Sequence, residues 1–187
     1  IVAVCAADMK TRQALSNNRV VTTVMSNIGL GRALRQLGIE HRQSAVGDRM
    51  VVEEMQRCGA VLGGEDSGHL VFLDAHTTGD GLLAALRLLG TLRRTNQPLS
   101  RAKSIMTVYP QVLINVKVAA KPKIAEIAGV SEAIREVENG LKSKGRVLVR
   151  YSGTQPVCRV MVEGPSENDT RNACEKIARA VAEAIGG

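Results

Sequence analysis

Apolar and polar positions change their period several times along this chain, and the changes divide it into elements. Residues 1–15 carry an apolar face at helical spacing, with Asp8, Lys10 and Arg12 toward the end, and predict a helix that Ser16-Asn17-Asn18 breaks. Val20-Val21-Thr22-Thr23-Val24-Met25 is largely β-branched and predicts a strand. Ser26-Asn27 offers a cap for a helix over 31–37, closed by Gly38. A polar-alternating strand follows over 39–45. Asp48 then caps a helix whose Val51, Val52 and Met55 fit a 3.6-residue period up to Gly59. Short apolar runs at 60–62 and 70–73 flank a Gly-rich turn and predict paired strands. Thr77-Thr78-Gly79-Asp80-Gly81 leads into an apolar helix over 82–92 whose C-terminal end is basic, as the helix dipole favours. Asn96-Gln97-Pro98 ends it, and a shorter helix runs to about 106.

The pattern changes after residue 108. Pro110 restricts Tyr109 to extended backbone and marks the boundary, where a hinge would let one part close over the other. Beyond it come a strand over 112–118, an amphipathic helix over 131–141, strands over 146–151 and 157–163, and a last helix over 168–185 with Ala173, Ile177, Val181 and Ile185 on one face. This order predicts a three-layer α/β domain followed by a small α+β domain, with helices on one face of an antiparallel sheet. The expected boundaries are 1–16, a terminal helix left from a preceding domain; 17–108, the α/β domain; and 109–187, the α+β domain.

Composition narrows the partners. With one Phe, two Tyr and no Trp in 187 residues, the cores must be built from Val, Leu, Ile, Ala and Met. A net charge of +7 raises nucleic acid as a partner, but the basic residues are dispersed and few aromatic rings are present to stack on bases. An anionic small substrate accounts for the same excess, so neither nucleic acid nor membrane is expected. The start of the chain has no basic leader and no Met, so it reads as part of something longer. Cys5, Cys58, Cys158 and Cys174 lack paired metal spacing and sit in apolar patterns, which predicts buried thiols, no metal site, and a reducing, cytoplasmic compartment.

Two loops carry candidate chemistry. Gly64-Glu65-Asp66-Ser67-Gly68-His69 presents carboxylates, a hydroxyl and an imidazole on a sharp turn, a set that suits the paired donor and acceptor of each sugar hydroxyl. Arg150-Tyr151-Ser152-Gly153-Thr154-Gln155-Pro156 is built like an anion cradle. Arg150 can bind phosphate bidentately, Ser152 and Thr154 can donate, and Gly153 permits backbone N–H groups to converge. Arg159 joins it only through a bulge, because pairing Tyr151 with Val157 would set residue 159 opposite Val149. His69 suits either an acid–base role or orientation of its loop. Arg49 suits either a substrate-phosphate contact or a helix-start position at the surface. His41 and His76 have no partner pattern.

In this order, the two loops resemble those of the α-D-phosphohexomutases. Residues 64–69 with 77–81 look like the family's sugar-binding region, and 150–156 like its C-terminal phosphate loop. Val24-Met25-Ser26-Asn27 and Val46-Gly47-Asp48-Arg49 have the wording of the branch that acts on amino sugars. Gln155 departs from the family's usual Glu, and Asp66 stands where this branch often has Gln. The resemblance implies the third and fourth domains of a four-domain isomerase that interconverts glucosamine 6-phosphate and glucosamine 1-phosphate through a bisphosphorylated sugar. A phosphomannomutase or phosphoglucomutase, or a non-catalytic phosphosugar binder, are the alternatives. Glu65, Ser67 and Arg49 would contact substrate, with His69 as the acid–base candidate. Arg150, Ser152, Gly153, Thr154 and Arg159 would hold phosphate. The family's phosphoserine and its Mg²⁺ loop of alternating aspartates are not in this sequence. The implied partners are therefore the missing N-terminal domains, Mg²⁺ bound by one of them, a hexose 1,6-bisphosphate activator, and a second copy of the parent chain.

Overall fold

The computed structural model describes all 187 residues and divides them into two compact units, Ile1–Val108 and Tyr109–Gly187. In the first, α1 (Val2–Thr11), β1 (Arg19–Thr23), α2 (Ile28–Gln36), β2 (Glu40–Ser44), α3 (Asp48–Cys58), β3 (Leu62–Gly64), β4 (Leu70–Phe72), α4 (Gly81–Thr95) and the short α5 (Leu99–Ala102) follow in order. The sheet runs β2-β1-β3-β4, with β2 and β3 parallel to β1 and β4 antiparallel to β3. Alternation along β1 sets the layers. Val20 packs with residues of α1, α2 and α4, whereas Val21 packs with Val51, Met55 and Cys58 of α3 on the opposite face. The result is the three-layer arrangement that the alternating pattern predicts.

Residues 1–16, set apart in the sequence reading, share the first unit's core in the structure: α1 supplies Ala3, Cys5, Ala6 and Met9. Its one buried carboxylate, Asp8, accepts from Arg94 Nη2 at 2.6 Å, Arg12 Nε at 3.0 Å and Thr91 Oγ1 at 3.1 Å, which ties α1 to α4. Helix boundaries differ from the sequence reading mainly at caps. Asn27 accepts from the Gly29 amide, so α2 starts at Ile28 instead of at residue 31. Along α4, Leu82, Leu86 and Leu89 form a stripe at helical spacing that faces solvent, each at least 60% exposed.

The second unit consists of β5 (Gln111–Lys117), α6 (Ala128–Leu141), β6 (Arg146–Tyr151), β7 (Val157–Glu163) and α7 (Glu167–Ile185). Its antiparallel sheet has the order β5-β7-β6. Cys158, Val160 and Val162 of β7 point into a core shared with Val130, Val137, Cys174 and Ile177 of the two helices. Arg159 and Met161 therefore lie on the other face. All four cysteines are buried and free, and burial pushes the Cys174 thiol up to about 11. No helix is long and apolar enough to cross a membrane.

Candidate functional site

Because β1, β2 and β3 are parallel, the segments that follow them, residues 24–27, 45–47 and 65–69, leave from one edge of the sheet. With β2 and β3 on opposite sides of β1, the connections part there, the place where open α/β sheets form their ligand crevice. The 65–69 turn closes through Glu65 N–H to His69 O at 2.9 Å and Gly68 N–H to Glu65 O at 3.1 Å. Gly68 takes a φ of 91°, a conformation that residues with a side chain rarely adopt. Glu65 Oε1 accepts from the Gly47 amide at 2.7 Å, which anchors the turn to the start of α3 and leaves Oε2 without a protein donor. Ser67 is exposed at the tip. A cavity of about 220 Å³ lies beside the turn, with Glu65, Asp66, Leu30 and Leu70 in its wall.

His69 is held on two sides. Its Nδ1 lies 3.4 Å from Asp48 Oδ2 at the head of α3. Its other edge rests against Gly79, where any added methyl would collide with the ring. These contacts fix the orientation of the imidazole. Arg49 is not brought to this group: its side chain is 85% exposed and donates from Nε to Glu53 at 2.7 Å along the outside of α3. His41 bonds to Thr22 Oγ1 at 2.8 Å within the sheet, and His76 contacts the Thr78 backbone. A larger cavity between α1, α4 and α5 lies elsewhere, and its Arg12 and Arg94 are committed to Asp8.

In the second unit the expected register is overturned. Tyr151 pairs with Cys158, Val149 with Val160, and Arg150 with Arg159. The cause is the loop. Ser152 N–H reaches Val157 O at 2.9 Å, so the hairpin closes over residues 153–156 and the register moves by one without a bulge in either strand. The two guanidinium groups are consequently direct cross-strand neighbours, and Asn115 of β5 extends the row on the far side of Arg159. Opposed like charges destabilise a sheet, so this pair is an electrostatic cost in the absence of an anion. Arg159 Nε is buried with no hydrogen-bond partner. Burial, and then the charge of Arg159, lowers the pKa of Arg150 below its usual value.

Beside the arginines, the 152–156 loop leaves its donors outward. The Gly153 and Thr154 amides meet no protein acceptor, while Gln155 N–H is taken by Ser152 Oγ at 3.3 Å. Ser152 is buried, and its hydroxyl oxygen caps the turn, which still leaves the hydroxyl proton to donate. Gly153 has no left-handed φ, and a methyl there would meet nothing within 4 Å, so glycine keeps the approach open. Consecutive unpaired amides next to two arginines can cradle a tetrahedral anion.

Sequence reasoning missed the roles of Gly47, Asp48 and Gly79. All three fall in segments whose wording it had singled out, but their contacts with Glu65 and His69 follow only from strand order. It also missed Lys121, whose Nζ donates to Ser152 O at 2.6 Å. No group of three or more His, Cys, Asp or Glu side chains converges to hold a metal ion, so the residues present do not fit Mg²⁺.

An α/β unit with a carboxylate, a hydroxyl and an imidazole on a turn at its strand ends, followed by a unit with paired arginines beside open amides, resembles the layout of a phosphohexomutase's C-terminal domains. The chain belongs to the phosphoglucomutase/phosphomannomutase family: residues 1–109 match its alpha/beta/alpha domain III and residues 113–180 its C-terminal domain. Among curated relatives, the phosphoglucosamine mutase of Desulforapulum autotrophicum is 53% identical over 185 residues, 98% of this chain and 40% of that protein. The phosphoglucosamine mutase of Syntrophobacter fumaroxidans is 50% identical over 186 residues, all of this chain and 41% of that one. The chain thus spans about two fifths of the length of the curated relatives it matches. The structure of Aspergillus fumigatus N-acetylphosphoglucosamine mutase shares the fold at a TM-score of 0.80 and 19% identity, covering 98% of this chain and 43% of that one. The same fungal enzyme has been solved with GlcNAc-6P and magnesium, and with glucose 1,6-bisphosphate.

Proposed function

We propose that this chain is the sugar- and phosphate-binding part of a phosphoglucosamine mutase, which interconverts glucosamine 6-phosphate and glucosamine 1-phosphate through a bisphosphorylated sugar in the cytoplasm. The observation that carries the reading is the direct opposition of Arg150 and Arg159 beside the free amides of Gly153 and Thr154. Two adjacent guanidinium groups with an open donor loop favour a dianionic phosphate over a carboxylate or a neutral ligand. In this reading Glu65 Oε2 and Ser67 bond the hydroxyls at the middle of the ring. Arg150, Ser152, Gly153, Thr154 and Arg159 hold the phosphate that is not reacting. The contribution is positioning and electrostatic stabilisation, the main sources of rate in phosphoryl transfer. His69, oriented by Asp48 and Gly79, acts as acid–base group or keeps its loop in place; Arg49 reaches a substrate phosphate only by leaving Glu53. Mg²⁺, the phosphoserine and the bisphosphate activator belong with domains outside this sequence, and the chain by itself turns nothing over.

The test is an NMR titration with glucosamine 6-phosphate, with inorganic phosphate and a short DNA duplex as controls. Shifts at Glu65, Ser67, Arg150 and Thr154 with the sugar phosphate, and none with DNA, are expected. Equal shifts for phosphate and sugar phosphate confined to residues 150–154 would remove the sugar role of the 65–69 loop. Binding of DNA alone would remove the mutase reading altogether.

A further inference from the structure

We propose that Lys121 is a positioning residue of the phosphate loop: its ammonium fixes and polarises the Ser152–Gly153 peptide so that the Gly153 amide is a stronger anion donor. The inference rests on the reading of residues 150–156 as a phosphate site and deepens it. Lys121 Nζ donates to Ser152 O at 2.6 Å, a short charge-assisted bond. In a trans peptide the carbonyl and the following N–H point in opposite directions. An ammonium on the Ser152 oxygen therefore draws electron density from the Gly153 N–H, which has no protein acceptor of its own.

The lysine is held for this task from both sides. Val118 N–H reaches Pro156 O at 3.0 Å, Ala119 N–H reaches Ile185 O at 3.0 Å, and Pro122 keeps Lys121 in extended backbone. Ser152 N–H on Val157 O, Val157 N–H on Gln155 O and Gln155 N–H on Ser152 Oγ brace the loop, while the Gly153 and Thr154 amides stay open. The ammonium also places a third positive charge at a loop that carries Gln155 and no carboxylate of its own. Lys117, on the neighbouring β5, makes no such bond and serves as the control for charge alone.

The experiment is a ¹H–¹⁵N titration of the whole chain with inorganic phosphate, run on the wild type and on Lys121→Met, Lys121→Arg and Lys117→Met, with thermal melts to check folding. In the phosphate-free spectrum, Lys121→Met moves the Gly153 amide proton upfield, because the polarising charge is gone. Its phosphate Kd rises about fivefold, Lys121→Arg recovers most of that loss, and Lys117→Met changes Kd by less than about twofold. A Lys121→Met protein that binds phosphate like the wild type overturns the inference, as does an equal loss in Lys117→Met. A wild type whose residues 150–156 do not respond to phosphate instead overturns the phosphate-loop reading itself, so the two failures are distinguishable.

Discussion

The second hairpin shows how far a single residue's chemistry can be taken. Tyr151 belongs to the same strand as Arg150 but turns to the helix side, where its hydroxyl is buried with no hydrogen-bond partner. A buried, unsatisfied hydroxyl costs about 1–3 kcal/mol. Tyr151→Phe should therefore raise stability by about 1 kcal/mol, read as a shifted urea midpoint, with phosphate affinity unchanged because the ring faces away from the arginines. Unchanged or lower stability would mean that the hydroxyl finds a partner in solution. The residue types gathered at this hairpin were legible in the sequence, since Arg, Ser, Gly and Thr at that spacing already suggest an anion cradle. The partnership of Arg150 with Arg159 was not. It depends on whether Tyr151 pairs with residue 157 or 158, and that depends on Ser152 joining the ladder, which no local propensity encodes.

At the scale of elements, the approach of the segment before α4 to the β3–β4 turn makes two glycines, two residues apart, behave oppositely. Gly79 abuts the His69 ring, so Gly79→Ala must displace the imidazole or the loop and should cost about 1–3 kcal/mol. The His69 ring resonances would move with it. Gly81 has open space around its Cα and begins α4, so Gly81→Ala should be neutral or stabilising by about 0.5 kcal/mol. Melts of the two variants side by side test the geometry, and equal destabilisation would refute it. The elements themselves were readable from their period, and their caps only in part: Asn27 caps α2 as expected, but Asp48 makes no cap bond at α3, and the caps at Asp80, which accepts from the Leu83 amide at 2.9 Å, and Ser166, which accepts from the Asp169 amide at 3.2 Å, were not anticipated. Their clustering was not readable. Gly47, Glu65, His69 and Gly79 meet only because β1, β2 and β3 run in the same direction in the order 2-1-3.

For the molecule as a whole, Asp8 is the carboxylate that acid should reach. Burial alone would raise its pKa, but hydrogen bonds from Arg94 and Arg12 outweigh burial and hold it below 3.8. A lowered folded-state pKa contributes stability that is present above about pH 4 and is lost as pH falls through the folded value. Asp8→Asn should cost about 2 kcal/mol at neutral pH, less than a fully buried pair because Arg94 is 44% exposed. The gap to wild type should close below about pH 4 in acid-denaturation curves, and a gap independent of pH would point to packing instead. The leucine stripe of α4 acts on a different property, the behaviour of the chain as a colloid. Seven net positive charges repel at a distance, while Leu82, Leu86 and Leu89 attract at contact. At about 0.01 M salt the repulsion extends some 30 Å and keeps the particles dispersed; near 1 M it shrinks to about 3 Å and the patches meet. The osmotic second virial coefficient should accordingly pass from positive to negative as salt rises, and Leu86→Glu should postpone the crossing.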